Sequence, residues 1–120
     1  MGSLNHLDLS YCQIFGVIPE SIGNLTQLTE LHLDDNYLRG NIPDKFFISQ
    51  KISRLSLGHN LLFENIPISL LNLKHLEYLD LSSNQLSDSI PPSIFSIPAL
   101  SYLDLSSNLF TGVRQDLYVN

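Results

Sequence analysis

Ser10, His32 and Asp34 supply the residue types of a hydroxyl nucleophile, a general base and an orienting carboxylate. No nucleophile-elbow pattern surrounds Ser10, and polar residues are so frequent nearby that such a trio is expected by chance. No catalytic residue is expected, and the chain is not read as an enzyme. Asp35 and His59 offer a carboxylate and an imidazole, but two ligands on an open surface make a weak metal site, so no metal and no cofactor is expected. The single cysteine, Cys12, has no partner for an internal disulfide. Asn24-Leu25-Thr26 meets the N-glycosylation acceptor rule, which makes Asn24 a candidate modification site.

Composition narrows the possibilities further. A hydrophobic fraction of 43%, mainly Leu and Ile without Trp, excludes a disordered chain and points to a regular aliphatic interior. No apolar run is long enough to span a bilayer, and "MGSLNHLDLS" has neither the basic nor the apolar region of a signal peptide. The net charge is −6 and the Lys and Arg residues do not cluster, so no nucleic-acid partner is expected.

The elements that position these residues follow from a repeat. Leu4–Leu7–Leu9 recurs as Leu28–Leu31–Leu33, Ile52–Leu55–Leu57, Leu76–Leu79–Leu81 and Leu100–Leu103–Leu105, with starts 24 residues apart each time. Asn36, Asn60, Asn84 and Asn108 follow at a fixed offset, and Cys12 holds that slot in the first unit. Ile-Pro pairs come next at Ile18-Pro19, Ile42-Pro43, Ile66-Pro67 and Ile90-Pro91. Alternation in each Leu-x-Leu gives one short strand with leucines inward, and one strand per coil gives a parallel sheet. The Asn amide has a donor and an acceptor for backbone groups that the turn leaves unpaired. Proline directs the chain around the outer side, where Ile22 and Leu25, Phe46 and Ile48, Leu70 and Leu73, and Ile94 and Ile97 fill the interior from short turns. In its slot, Cys12 is expected to be buried, reduced and unreactive.

The pattern, with "IFGVIP" (Ile14–Pro19), "LRGNIP" (Leu38–Pro43) and "ESIGNLTQL" (Glu20–Leu28), resembles the plant-type extracellular leucine-rich repeat. The resemblance implies an α/β fold, a right-handed solenoid with a parallel β-sheet on its concave face and 3-10 or short helical turns on its convex side. It also implies a second strand near Ile-Pro flanking the main sheet. Five repeats are expected over residues 4–113, with an irregular tail or partial cap over 114–120, where Arg114 and Gln115 stand in the Ile and Pro positions. Glu64 and Asp88 replace the glycine found at Gly16, Gly40 and Gly112, which predicts a different bend in those coils. The family's signal peptide, cysteine-paired caps and membrane segment are not seen in this sequence, so a piece of a longer array is favoured.

The outward positions of the strands form columns about 4.8 Å apart. They gather Asp8, Glu30, Asp34, Asp35, Glu77, Asp80 and Asp104 against Arg54 alone, which favours a basic or polar partner. Asp80, Asp104 and their paired serines recur in units that look generic and read as scaffold. The less repetitive His32, Asp34, Asp35, Arg54 and His59, with Glu30 and the exposed aromatics Tyr11, Tyr78 and Tyr102, are the candidate ligand contacts. The resemblance then implies a cell-surface recognition module for a peptide or protein ligand or a co-receptor, as in receptor-like proteins and kinases. Inhibition of a secreted cell-wall-degrading enzyme, similar to polygalacturonase-inhibiting proteins, is the alternative. A truncated fragment without autonomous function is the third reading.

Overall fold

The computed structural model describes residues 4–47 and 51–111. The expectations for Ile48 and for the segment 112–120 lie outside the described residues.

The strands are numbered in chain order. Five of them, β1 (His6–Asp8), β3 (Glu30–His32), β5 (Arg54–Ser56), β7 (Tyr78–Asp80) and β9 (Tyr102–Asp104), form one parallel sheet in that order. Its register aligns repeat-equivalent residues, so Leu7, Leu31, Leu55, Leu79 and Leu103 are successive partners. Leu31, Leu55 and Leu79 are fully buried, whereas Leu4, Leu7 and Leu9 at the first coil are only half-buried. The core is therefore a stack of leucine layers that is left open at the first described coil, while Leu103 and Leu105 of the last are buried.

A second parallel sheet contains β2 (Phe15–Val17), β4 (Tyr37–Gly40), β6 (Leu61–Glu64) and β8 (Gln85–Leu86). Its strands run into the Ile-Pro pairs, whose isoleucines Ile18, Ile42, Ile66 and Ile90 are all buried. Here the register slips. Phe15 pairs with Tyr37, Arg39 with Leu61 and Phe63 with Gln85, each two residues short of the repeat. Two residues correspond to a stagger of about 6.6 Å per coil along this sheet.

The asparagines join the two registers. Asn36 Oδ1 accepts from the backbone N–H of Cys12 at 3.0 Å and of Ile14 at 2.9 Å, one in the main register and one in the slipped register. Its Nδ2 donates back to the carbonyls of Leu9 and Leu33 at 2.9 and 3.0 Å. Asn60, Asn84 and Asn108 likewise accept from Leu38, Leu62 and Leu86, each at 3.0 Å. Each amide thus satisfies groups on its own coil and on the preceding one.

On the remaining side, 3-10 turns span Glu20–Asn24, Asp44–Phe47, Ile68–Asn72 and Pro92–Ser96. Pro19, Pro67 and Pro91 precede three of them at φ of −68, −68 and −65°, the value their rings enforce. Phe46, Leu70, Leu73, Ile94 and Ile97 from these segments are buried, while Ile22 and Leu25 in the first are half-buried. No helix among the described residues is long and apolar enough to cross a membrane.

One expectation needs correction. Cys12 is exposed, although its Sγ does donate to Ser10 O at 3.2 Å. Burial of the Asn slot comes from the preceding coil, and among the described residues none lies before β1. Glu64 and Asp88 bend somewhat differently from Gly16 and Gly40, with φ of 71 and 62° against 100 and 84°, but stay in the same left-handed region. The repeat imposes the bend, and these side chains bear its strain.

A non-glycine residue in this region costs about 1–2 kcal/mol, from which glycine's greater unfolded-state freedom removes about 0.4–1 kcal/mol. Glu64→Gly is therefore expected to raise the melting temperature by about 2–5 °C, and Glu64→Ala, which keeps a Cβ, is expected not to. Thermal unfolding followed by circular dichroism checks both.

Candidate functional site

The main sheet turns its leucines inward, so the alternate residues of β1, β3, β5, β7 and β9 form the outward face. One column reads His6, Glu30, Arg54, Tyr78, Tyr102, each the register partner of the next. It is a continuous ladder of side-chain contacts. Glu30 Oε1 lies 3.2 Å from His32 Nε2, 3.6 Å from His6 Nδ1 and 3.9 Å from Arg54 Nε. The Arg54 guanidinium sits 4.6 Å from the Tyr78 ring centroid, and Tyr78 stacks on Tyr102 at 4.3 Å with 6° between the planes. Burial, followed by the charges of Asp80 and Asp104 respectively, pushes the Tyr78 and Tyr102 phenols up, so both remain neutral donors.

The middle column spends its acids on structure. Asp8, Asp80 and Asp104 each accept from the Oγ of the serine two residues on, Ser10, Ser82 and Ser106, at 2.6 Å. They accept from the backbone N–H of the same serines at 2.9–3.0 Å. For Asp8 these bonds hold the carboxyl below its usual range. Ser56, Gly58 and Ser82, although on the outward side of their coils, are buried. The reason is crowding: a Cβ on Gly58 would meet the Asp80 carboxylate at 3.0 Å. The hydrolase-like trio does not assemble, because Ser10 Oγ is held by Asp8 and His32 Nε2 faces Glu30.

A separate acidic pole lies where the strands turn. Tyr11, Asp35 and His59 occupy one repeat position, with φ of 55, 58 and 56°, which swings these side chains to the corner of the face. Tyr11 is 75% exposed, and hydrogen bonding to Asp35, followed by the Asp35 charge, pushes its phenol up. Asp34 is half-buried; burial, opposed by bonds to its own backbone and to Ser56, pushes its carboxyl up. Among the described residues the His59 side chain is exposed and makes no hydrogen bond or ion pair with Asp35.

The structure thus gathers the candidate residues into two groups, Glu30, His32, Arg54, Tyr78 and Tyr102 in one ladder and Tyr11, Asp34 and Asp35 at the corner, with His59 apart. Asn24 is exposed at the end of the first 3-10 turn. Two features escaped the sequence reading. His6 joins Glu30 and His32, a convergence legible in its repeat spacing from Glu30. The second sheet exposes Phe15, Val17, Tyr37, Leu61 and Phe63, whose alternation in "FGV", "YLR" and "LLF" is the signal of a strand with one open face.

Comparison with known proteins assigns this architecture. Leucine-rich-repeat profiles match residues 3–25, 27–47 and 50–110. The chain belongs to the leucine-rich-repeat family, and its solved neighbours place it with the plant-type repeats of receptor-kinase ectodomains. Comparison with curated proteins gives no match. The Arabidopsis receptor kinase HAESA, solved with the peptide hormone IDA and the co-receptor SERK1, superposes with a TM-score of 0.86 at 38% identity. That alignment covers 91% of this chain and 18% of HAESA. The plant peptide hormone receptor RGFR1, solved with RGF2, gives 0.86 at 42% identity over 90% of this chain and 17% of RGFR1. The BIR3–SERK2 complex from Arabidopsis thaliana gives 0.86 at 34% identity, covering 91% of this chain and 58% of the matched one.

The Asp34 shift has a defined sign. Its folded pKa is raised, so ionisation destabilises the fold above that pKa, and the cost vanishes below the unfolded value, where both states are protonated. Asp34→Asn is expected to raise the melting temperature at pH 7, with the gain lost as pH falls from the raised folded value to the ordinary carboxylate value. Melting curves across pH 3–7, a range spanning the usual carboxylate values of about 4, check this.

Proposed function

We propose that the chain is a non-enzymatic recognition module that binds a peptide or protein ligand on the face of its five-stranded sheet. The observation that carries the reading is the division of labour on that face. Asp8, Asp80 and Asp104 are occupied within their own strands, whereas Asp34, Asp35 and Tyr11 form a strained, partly desolvated pole that the fold does not need. Beside it, Tyr78 and Tyr102 form a rigid aromatic platform already ordered by Arg54, which lowers the ordering cost of binding.

A basic or polar segment laid across the strands would meet the carboxylates at one end and the tyrosines further along. That HAESA and RGFR1 are solved with peptide hormones, and HAESA also with a co-receptor, supports a peptide ligand or a co-receptor as the partner class. Placement at the cell surface, with glycosylation of exposed Asn24, belongs to the same reading.

Panning the purified chain against a random linear peptide library tests it. Selected peptides are expected to be enriched in Lys and Arg, and to lose at least about tenfold in affinity, or 1.4 kcal/mol, on Tyr102→Ala or on joint Asp34→Asn and Asp35→Asn substitution. Peptides that ignore these changes but lose binding on Phe15→Ser and Tyr37→Ser would move the site to the second sheet.

A further inference from the structure

His6, Glu30 and His32 meet at one point of the face. Each offers one ligand atom, and the three atoms lie within 4.8 Å of one another. The convergence is set by the backbone. His6 and Glu30 are register partners on β1 and β3, and His32 follows Glu30 by two residues, the spacing that puts two strand side chains on one face. The imidazole rings stand 5.6 Å apart with the carboxylate oxygen 3.2 and 3.6 Å from their nitrogens. The geometry points to a divalent transition-metal site, with His6, Glu30 and His32 as three ligands to Zn²⁺ or an ion of similar preference.

Two imidazoles and a carboxylate form the donor set that suits Zn²⁺, Co²⁺ and Ni²⁺ rather than the hard ions Ca²⁺ and Mg²⁺. Metal–ligand bonds of about 2.0–2.2 Å need ligand atoms roughly 3.3 Å apart. The present separations close to that by side-chain rotation alone, because His6 is exposed and the other two are half-buried. Arg54 is the competing cation, 3.9 Å from Glu30, and it already lies over the Tyr78 ring, a contact it keeps if a metal ion displaces it from Glu30. Asp8, the register partner of His32, adds negative charge beside both imidazoles while its own oxygen stays with Ser10. Three protein ligands leave a coordination position open towards solvent, where a carboxylate or imidazole of a partner would complete the sphere. Metal binding uses only this chain's residues and stands independently of the peptide reading.

The test is Zn²⁺ titration of the full chain by calorimetry, in a Cys12→Ser background that removes the exposed thiol. The expected result is one ion per chain with a dissociation constant of about 10 µM or tighter. His6→Ala and His32→Ala are each expected to weaken binding at least about tenfold, whereas His75→Ala, at an exposed position on another coil, leaves it unchanged. In the NMR spectrum Zn²⁺ is expected to shift the ring resonances of His6 and His32 and spare His59 and His75. Parent binding weaker than about 100 µM, or equal binding by the folded His32→Ala chain, would overturn the assignment.

Discussion

The side-chain amide of one asparagine per coil is the constraint on which the rest of this structure depends. The main sheet stacks equivalent residues on one another, while the second sheet slips by two residues per coil. Backbone hydrogen bonding alone does not satisfy both, because N–H and C=O groups at the turn between the sheets are left facing one another out of register. Asn36 bridges the mismatch by accepting from Cys12 and Ile14 together and donating to Leu9 and Leu33. Asn60 and Asn84 accept from the slipped-register amides of Leu38 and Leu62 and donate to the carbonyls of Leu33 and Leu57 on the preceding coil while almost fully buried, at 6% and 8% exposure. A buried amide left without these partners would cost about 1–3 kcal/mol per orphaned group, so the ladder holds adjacent coils in one fixed relation.

That fixed relation is what makes the outer face useful. Glu30 reaches His6, His32 and Arg54, Arg54 lies over Tyr78, and Tyr78 stacks on Tyr102, only because their strands are in strict register. The same arrangement separates acids that maintain the fold from acids that strain it. Asp80 and Asp104 are held by Ser82 and Ser106. Asp34 has Asn36 in the position two residues on, where that amide is committed to the ladder, and it is the carboxylate whose pKa burial raises. Acids that maintain the fold and acids that strain it thus sit at different residues of one repeated motif, and the proposed recognition rests on the second kind.

Much of this was legible in the sequence. The interval between Leu4, Leu28, Ile52, Leu76 and Leu100 dictates the sheet, its register and the membership of each column, because side-chain direction in a strand has period two. The slip of the second sheet was not legible, since it arises from what Asn36 and its equivalents bond and not from any residue in the strands themselves. Nor was the tie of Asp8 to Ser10, which depends on rotamers rather than spacing. Cys12 shows the limit plainly: its slot was read correctly, yet burial belongs to the stack of coils, and the slot lies open where no described coil precedes it.

Native-state hydrogen exchange at the Leu38 and Leu62 amides, which donate to Asn60 and Asn84, tests the ladder most directly. If the amide ladder holds the coils together, both sites exchange only through global unfolding, with opening free energies equal to the value from denaturant titration. Opening energies at Leu38 and Leu62 that fall more than about 2 kcal/mol below the global value would contradict the account, and would make the leucine layers, not the asparagines, the element that fixes the face.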